Sequence, residues 1–117
     1  MTTQRRVALV TGGSRGIGRG CVAKLAEDGH NVVINYHSAA DAAEEIAEEC
    51  RRDYGADALV VKCDVSDRSQ VDEMFRRVDE RFGHIDVLVA NAAASRRSPF
   101  IEMTMDTMEY TLGVALW

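Results

Sequence analysis

The chain has 117 residues, of which 46% are hydrophobic and 28% are charged, a balance typical of one soluble globular domain. Its formal net charge is −5 and no basic run follows one face, which argues against binding to nucleic acid or to an anionic membrane. No apolar run is long enough to cross a bilayer, and the N-terminus lacks a secretory signal pattern, so we expect a cytoplasmic protein. Its three cysteines are widely spaced and predict neither a disulfide framework nor a metal site.

A short apolar run opens the chain and breaks into a glycine-rich turn. Residues 7–10 predict a strand that is buried on both faces, and Gly12, Gly16 and Gly18 follow it. A helical pattern begins at once behind these glycines, with apolar residues at Ile17, Cys21, Val22, Leu25 and Ala26. The helix N-terminus directs free N–H groups and the positive end of its dipole at the loop, so we expect a phosphate there. A purely structural glycine turn is the alternative.

The rest of the chain alternates strands with helices. The predicted elements are a strand at 31–36, a helix at about 38–54 ended by Gly55, a strand at 58–63, a helix capped by Asp67 with Gln70 and ended by Gly83, a strand at 85–90, and a last helix opened by Thr104 or Asp106. This alternation requires a parallel sheet with right-handed crossovers. We therefore predict an α/β, Rossmann-type doubly wound sheet with strand order 3-2-1-4. Its ligand crevice should lie at the carboxyl ends of strands 1 and 4.

The spacing of the glycines distinguishes this loop from two other nucleotide-binding loops. Three residues separate Gly12 from Gly16, whereas G-x-G-x-x-G has one at that place, and no Gly-Lys-Ser/Thr of a Walker A loop follows. Thr-Gly-x-x-x-Gly-x-Gly after a first strand resembles the cofactor signature of the short-chain dehydrogenase/reductase family. The resemblance implies that the pyrophosphate and ribose of a nicotinamide dinucleotide contact Gly12, Ser14, Arg15, Gly16, Ile17 and Gly18.

Two further strand ends carry residues that match the same family. At 63–65, Cys-Asp-Val matches a feature in which an aspartate accepts a hydrogen bond from the adenine amino group, which implies adenine contacts for Asp64 and Val65. A plain strand-end or capping aspartate is the alternative. At 90–93, Ala-Asn-Ala-Ala stands in place of the family's Asn-Asn-Ala-Gly and departs from it at both ends, as in some 3-oxoacyl- and enoyl-thioester reductases. The nicotinamide-side ribose would then be contacted by Asn91, Ala92 and Ala93.

The end of strand 2 bears on the choice of cofactor. Enzymes specific for NAD usually place an acid there to bind the ribose 2′-hydroxyl. Here no acid occurs before Asp41, and Arg15 in the glycine loop could reach a 2′-phosphate. We therefore predict NADP(H) rather than NAD(H), with the adenosine phosphate surrounded by Asn35, Tyr36, His37 and Ser38. A solvent-facing Arg15 is the alternative.

The family's catalytic groups do not occur in this sequence. Carbonyl reduction needs a proton donor, which the family supplies with Tyr-x-x-x-Lys and a serine on the preceding strand. No tyrosine here is followed by lysine four residues later, so no catalytic residue is predicted, and Ala115 stands near the family's catalytic asparagine. An apolar helical pattern runs to Trp117, and a sheet ending at strand 4 would expose a hydrophobic edge. We therefore expect residues 1–117 to be the truncated cofactor-binding half of one domain about twice as long, or a half whose second part pairs with it as a separate piece.

The resemblance implies an NADP-dependent oxidoreductase that reduces a ketone or an activated double bond. Its closest substrate class is an acyl thioester, linked to a carrier protein or to CoA, and its full-length form is expected to be a dimer or tetramer. A non-catalytic NADP(H)-binding module is an alternative, which Ala115 favours. A different nucleotide binder, such as a methyltransferase, is disfavoured by the glycine spacing and by Asn91.

Overall fold

The structure is a computed structural model that describes residues 5–91, and it contains a four-stranded parallel sheet with helices on both faces. The elements in chain order are β1 (Val7–Val10), α1 (Gly16–Glu27), β2 (Asn31–Tyr36), α2 (Ala40–Tyr54), β3 (Ala58–Lys62), α3 (Arg68–Phe82) and β4 (Val87–Val89). The strand order is β3-β2-β1-β4 with every neighbouring pair parallel, which confirms the predicted Rossmann-type half. The predicted last helix and the residues Ala92, Ala93 and Ala115 lie outside the described residues.

The two faces of the sheet are covered by different helices. On one face, Val32 and Ile34 of β2 pack in a cluster with residues of α1 and α2, including Val22 and Ile46. On the other face, Val33 packs in a cluster with the α3 residues Val71, Met74 and Val78. All four residues of β1 are buried, as expected for a central strand that is covered on both sides. None of the helices in this part of the chain is long and apolar enough to span a membrane.

The structure corrects three predicted boundaries. Helix α2 begins at Ala40 rather than at Ser38, and β3 ends at Lys62 rather than at Cys63. Strand β4 is limited to three residues, whereas six were predicted. Before β4, the Asp86 carboxylate accepts the Val7 N–H and the Asp86 N–H donates to the Val7 carbonyl, each at 2.8 Å, so Asp86 binds the start of β1 through both groups.

The start of α3 differs in one detail from the predicted capping box. Asp67 accepts the N–H groups of Ser69 and Gln70, as an N-cap residue does. However, the Gln70 side chain accepts the N–H of Asp64 at 2.8 Å, not that of Asp67. The Asp67 N–H is already engaged, because it donates to the Asp64 carbonyl oxygen in a turn. The turn after β3 is thereby tied to the helix that follows it.

Candidate functional site

A cleft of about 370 Å³ opens at the carboxyl end of the sheet, where the strand order reverses between β1 and β4. In open α/β sheets, ligands bind at this position. The lining residues are Gly12, Ser14, Arg15, Ile17, Tyr36, His37, Ser38, Ala39 and Asn91. All of them except Ala39 belong to the site that the sequence predicts.

The glycine loop after β1 is held between the two neighbouring strands. The Thr11 N–H donates to the Val89 carbonyl at 3.0 Å, and the Gly13 N–H donates to the Asn35 carbonyl at 2.9 Å. The Asn91 N–H donates to the Thr11 hydroxyl at 2.9 Å, and its side-chain amide donates to the Gly12 carbonyl at 3.2 Å. Thr11 therefore helps to hold the glycine loop and Asn91 in place, although it does not line the cleft. It belongs to the quoted Thr-Gly motif but was not among the predicted site residues.

Three glycines of this segment are required for two different reasons. Gly12 has φ of 64° and Gly16 has φ of 55°, a left-handed conformation that other residues rarely adopt. Gly18 is in helix α1, and a Cβ there would lie 2.5 Å from the Asn91 side-chain nitrogen and closer still to the Gly12 carbonyl oxygen. Helix α1 can therefore start directly against the loop only because Gly18 has no side chain.

The N-terminus of α1 faces the cleft with its amides available. Arg15 is the N-cap residue with an extended backbone, and its side chain makes no capping hydrogen bond among the described residues. The first turn of α1 contains no acidic residue. By contrast, α3 is capped by the Asp67 carboxylate. Because four amides at a helix start need an acceptor, and the dipole favours negative charge, this end of α1 suits a phosphate.

The second wall of the cleft comes from the end of β2 and the start of α2. Tyr36, His37 and Ser38 line it, followed by Ala39, which is the N-cap residue of α2 and provides no capping side chain. Ala39 was not among the predicted site residues. The available signal was an alanine at a helix start, where a serine, threonine or acid is usual. Of the described side chains that line the cleft, none is a carboxylate.

Asp64 lies at the margin of this wall. Its Oδ1 accepts the N–H and the hydroxyl of Ser66 at 3.0 and 2.7 Å, and its Oδ2 lies 3.9 Å from His37 Nε2. The hydrogen bonds from Ser66, with a smaller contribution from His37, hold the pKa of Asp64 below its usual value. The carboxylate thus stays ionised beside His37, with Oδ2 not engaged by Ser66. Its contact with adenine stays a prediction.

Two predicted contact residues have their side chains in the protein interior. Asn35 is 2% exposed, and its amide bonds to backbone groups of the loop, of β3 and of the residue after β3. Val65 is 6% exposed and packs in the cluster beneath α3. Neither lines the cleft, so only their backbone groups remain for a direct contact with a ligand. Ala92 and Ala93 lie outside the described residues.

The described lining of the cleft is rich in hydrogen-bond donors. Within residues 5–91, no group of three or more His, Cys, Asp or Glu side chains is arranged to hold a metal ion. The cleft offers backbone amides, a guanidinium, an imidazole and three hydroxyls, which are all donors suited to phosphate oxygens. The exposed Ile17 side chain adds an apolar surface beside them.

Comparison with known protein families gives one match that spans nearly the whole chain. The family described as short chain dehydrogenase matches residues 6–116. The 3-oxoacyl-[acyl-carrier-protein] reductase FabG of Staphylococcus aureus is 42% identical over 96 residues, which are 82% of this chain and 39% of the relative. The hydroxynaphthalene reductase-like protein Arp2 of Metarhizium guizhouense is 38% identical over 99 residues, 85% of this chain and 37% of the relative. The chain thus spans about two fifths of the length of these relatives.

Solved structures show the same fold. A short chain dehydrogenase from Burkholderia cenocepacia in complex with NADP has a TM-score of 0.88 at 38% identity, covering 94% of this chain and 44% of that one. An alcohol dehydrogenase from the archaeon Thermococcus sibiricus, complexed with 5-hydroxy-NADP, has a TM-score of 0.87 at 33% identity, covering 95% of this chain and 47% of that one.

Proposed function

This chain belongs to the short-chain dehydrogenase family, and we propose that it forms the cofactor-binding part of an NADP-dependent oxidoreductase that reduces a ketone or an activated double bond. The observation that carries the proposal is the composition of the cleft. It combines a left-handed glycine turn, an uncapped helix N-terminus and a cation at the loop, with no described carboxylate in its lining. These are the features that a dinucleotide with an additional phosphate requires.

The α1 side of the cleft would hold the pyrophosphate. The first amides of α1 are the donors, and Ser14 adds a hydroxyl at the same wall. The lack of a side chain at Gly18 allows the helix start to approach the loop closely. Bound there, the cofactor supplies a hydride from its nicotinamide ring. The residues of this chain bind and orient it.

The β2 side of the cleft would distinguish NADP from NAD. Arg15 reaches the cleft from one wall, and His37 and Ser38 line the other. A guanidinium makes strong, charge-assisted hydrogen bonds to phosphate oxygens, whereas it adds little to the binding energy of a neutral ribose hydroxyl. The NADP-bound short-chain dehydrogenase from Burkholderia cenocepacia, with a TM-score of 0.88, supports this preference.

The relatives support an acyl thioester as the substrate class. The Staphylococcus aureus relative is named a 3-oxoacyl-[acyl-carrier-protein] reductase and is 42% identical to this chain over the matched residues. We therefore propose a substrate linked to a carrier protein or to CoA, in a cytoplasmic homo-oligomer. Nucleic acid and membrane surfaces are not proposed as partners, because the chain carries a net charge of −5 without a basic stripe.

The test is reduction of a CoA-linked 3-oxoacyl thioester by the protein expressed from its complete gene, followed as loss of NADPH absorbance. The proposal predicts turnover with NADPH and much slower turnover with NADH at equal concentration. Binding of NADPH without turnover of ketone or enoyl substrates would instead favour the non-catalytic module. If NADPH neither binds nor reacts, the proposed function is wrong.

A further inference from the structure

Asn35 is the last but one residue of β2 and one of the few buried polar residues of the described chain. Its side-chain oxygen accepts the Gly12 N–H at 3.2 Å. Its side-chain nitrogen donates to the Cys63 carbonyl at 3.1 Å and to the Val61 carbonyl at 3.4 Å. One amide therefore joins the glycine loop to the end of β3, which otherwise has β2 between it and the loop.

This arrangement requires both halves of an amide. The Gly12 N–H needs an acceptor, and the carbonyls of Val61 in β3 and of Cys63 just after it need a donor, so the orientation of the Asn35 amide is fixed by its three partners. A carboxylate would keep the bond to Gly12 but would oppose the carbonyl oxygens. An alanine would leave all three backbone groups without this partner, at a site where the Asn35 residue is 2% exposed.

We propose that Asn35 is a positioning residue for the cofactor phosphates, which sets the Gly12 peptide relative to β3 without touching the cofactor. The proposal rests on the proposed function of the cleft as a dinucleotide site. Asn91 completes the arrangement from β4, since its amide donates to the Gly12 carbonyl at 3.2 Å. Gly12 is thus held at its N–H by one asparagine and at its carbonyl by another. Amides that bind phosphate oxygens must be held in place, and buried side chains do this better than a free loop.

The test is the Asn35→Asp variant, with the dissociation constant of NADP⁺ measured by calorimetry at about pH 8 and at about pH 5.5. At the higher pH the new carboxylate repels the carbonyls of Val61 and Cys63, and NADP⁺ should bind about tenfold more weakly than to the wild type. Burial and these two carbonyls favour the protonated form, which can donate to one carbonyl while accepting from Gly12. At the lower pH the affinity should therefore return to within about twofold of the wild type.

Other titrating groups near the site are controlled by comparison with the wild type. His37 and the 2′-phosphate are common to the measurements on the variant and on the wild type, so the ratio of the two dissociation constants removes their contributions. Asp64 stays ionised, because the Ser66 hydrogen bonds lower its pKa. Burial raises the pKa of the Cys63 thiol, which therefore stays neutral. Arg15 and Lys62, the cations on neighbouring segments, are likewise common to both proteins.

The matched control is Asn31→Asp at the opposite end of the same strand. Asn31 Oδ1 accepts the Asp57 N–H at 3.0 Å, a bond that a carboxylate retains, and this end of β2 is remote from the cleft. Its NADP⁺ affinity should stay within about twofold of the wild type at both pH values. A second ligand, adenosine 2′-monophosphate, lacks the pyrophosphate. Its affinity for Asn35→Asp should change less than about twofold, because flexible side chains adapt to a small shift of the loop.

The outcomes separate this inference from the proposed function. If wild-type protein fails to bind NADP⁺, the proposed function falls. If it binds and Asn35→Asp matches it at both pH values, the positioning role is wrong. Equal loss of NADP⁺ and adenosine 2′-monophosphate would show a purely structural role and would also overturn it. Should Asn35→Asp fail to fold, Asn35→Ala is used, for which we expect selective weakening of NADP⁺ binding at both pH values.

Discussion

Replacing Gly18 by alanine tests the close approach of α1 to the glycine loop. A Cβ at this position would lie 2.5 Å from Asn91 Nδ2, and nearer still to the Gly12 carbonyl oxygen. Ordinary contacts between such atoms are about 3.5 Å, so the helix start and the loop must move apart by roughly 1 Å. This movement would break the Asn91–Gly12 hydrogen bond and shift the amides that we assign to the pyrophosphate.

The expected loss of unfolding free energy in Gly18→Ala has two contributions. Overpacking costs about 1–3 kcal/mol, and the lost hydrogen bond adds about 1 kcal/mol. Gly20→Ala is the matched control, since it is in the same helix and its Cβ would meet nothing within 4 Å. Both alanines gain the same helix preference of about 0.5–1 kcal/mol. The difference in unfolding free energy between the two variants should therefore be about 2–4 kcal/mol.

Urea unfolding gives this difference, and calorimetric titration with NADP⁺ gives the effect on the site. We expect Gly20→Ala to be at least as stable as the wild type and to bind NADP⁺ normally, whereas Gly18→Ala binds at least about tenfold more weakly. Equal stability of the two variants, together with equal affinity, would refute the argument that α1 packs on the loop through Gly18.

Three further results are expected. Arg15→Ala should weaken NADP⁺ binding by about 10- to 100-fold and leave NAD⁺ binding nearly unchanged, because the Arg15 guanidinium is assigned to the 2′-phosphate. Competitive titration measures both affinities, and equal effects on the two cofactors would contradict the assignment. Hydrogen bonds from Arg81 at 3.0 and 2.6 Å lower the pKa of Asp57, so this pair stabilises the fold above about pH 4 and the contribution is lost as the pH falls further. Since both side chains are more than two fifths exposed, Arg81→Gln should lower the free energy of unfolding in urea at neutral pH by only about 0.5 kcal/mol. An equal loss in strong acid would exclude the ion pair as the cause. Burial raises the pKa of Cys50 to about 11, so at about pH 8 this thiol should react with an aromatic disulfide reagent only after unfolding in urea, and fast reaction in the folded protein would contradict its burial.

The fold could be predicted because its signals are local. Val32, Val33 and Ile34 form an apolar run between turns, and β2 has the predicted bounds of residues 31 and 36. Gly55 and Gly83 have positive φ where helices α2 and α3 end, as a glycine after a helical pattern indicates. Alternation of such strands and helices leaves few topologies, and the order 3-2-1-4 follows from the glycine loop after the first strand.

The sequence predicts that the site lies at the strand ends, but not which side chains there point into the cleft. The sequence offered Asn35 and Tyr36 as equal candidates for the adenosine side of the cleft. Adjacent strand residues face opposite sides of a sheet, and only the packing of α2 and α3 decides which side opens to the cleft. The structure exposes Tyr36 to the cleft and buries Asn35. Ala39 was missed because it carries no polar group, and its place follows from where α2 begins.

The central claim is that the cleft binds NADP(H) through the glycine loop and a cationic adenosine side. Calorimetric titration of the protein expressed from its complete gene with NADP⁺, and separately with NAD⁺, tests it most directly. We predict that NADP⁺ binds at least about tenfold more tightly than NAD⁺ at physiological ionic strength. Equal affinity for the two would contradict the role given to Arg15 and His37, and no binding of either would contradict the assignment of the cleft.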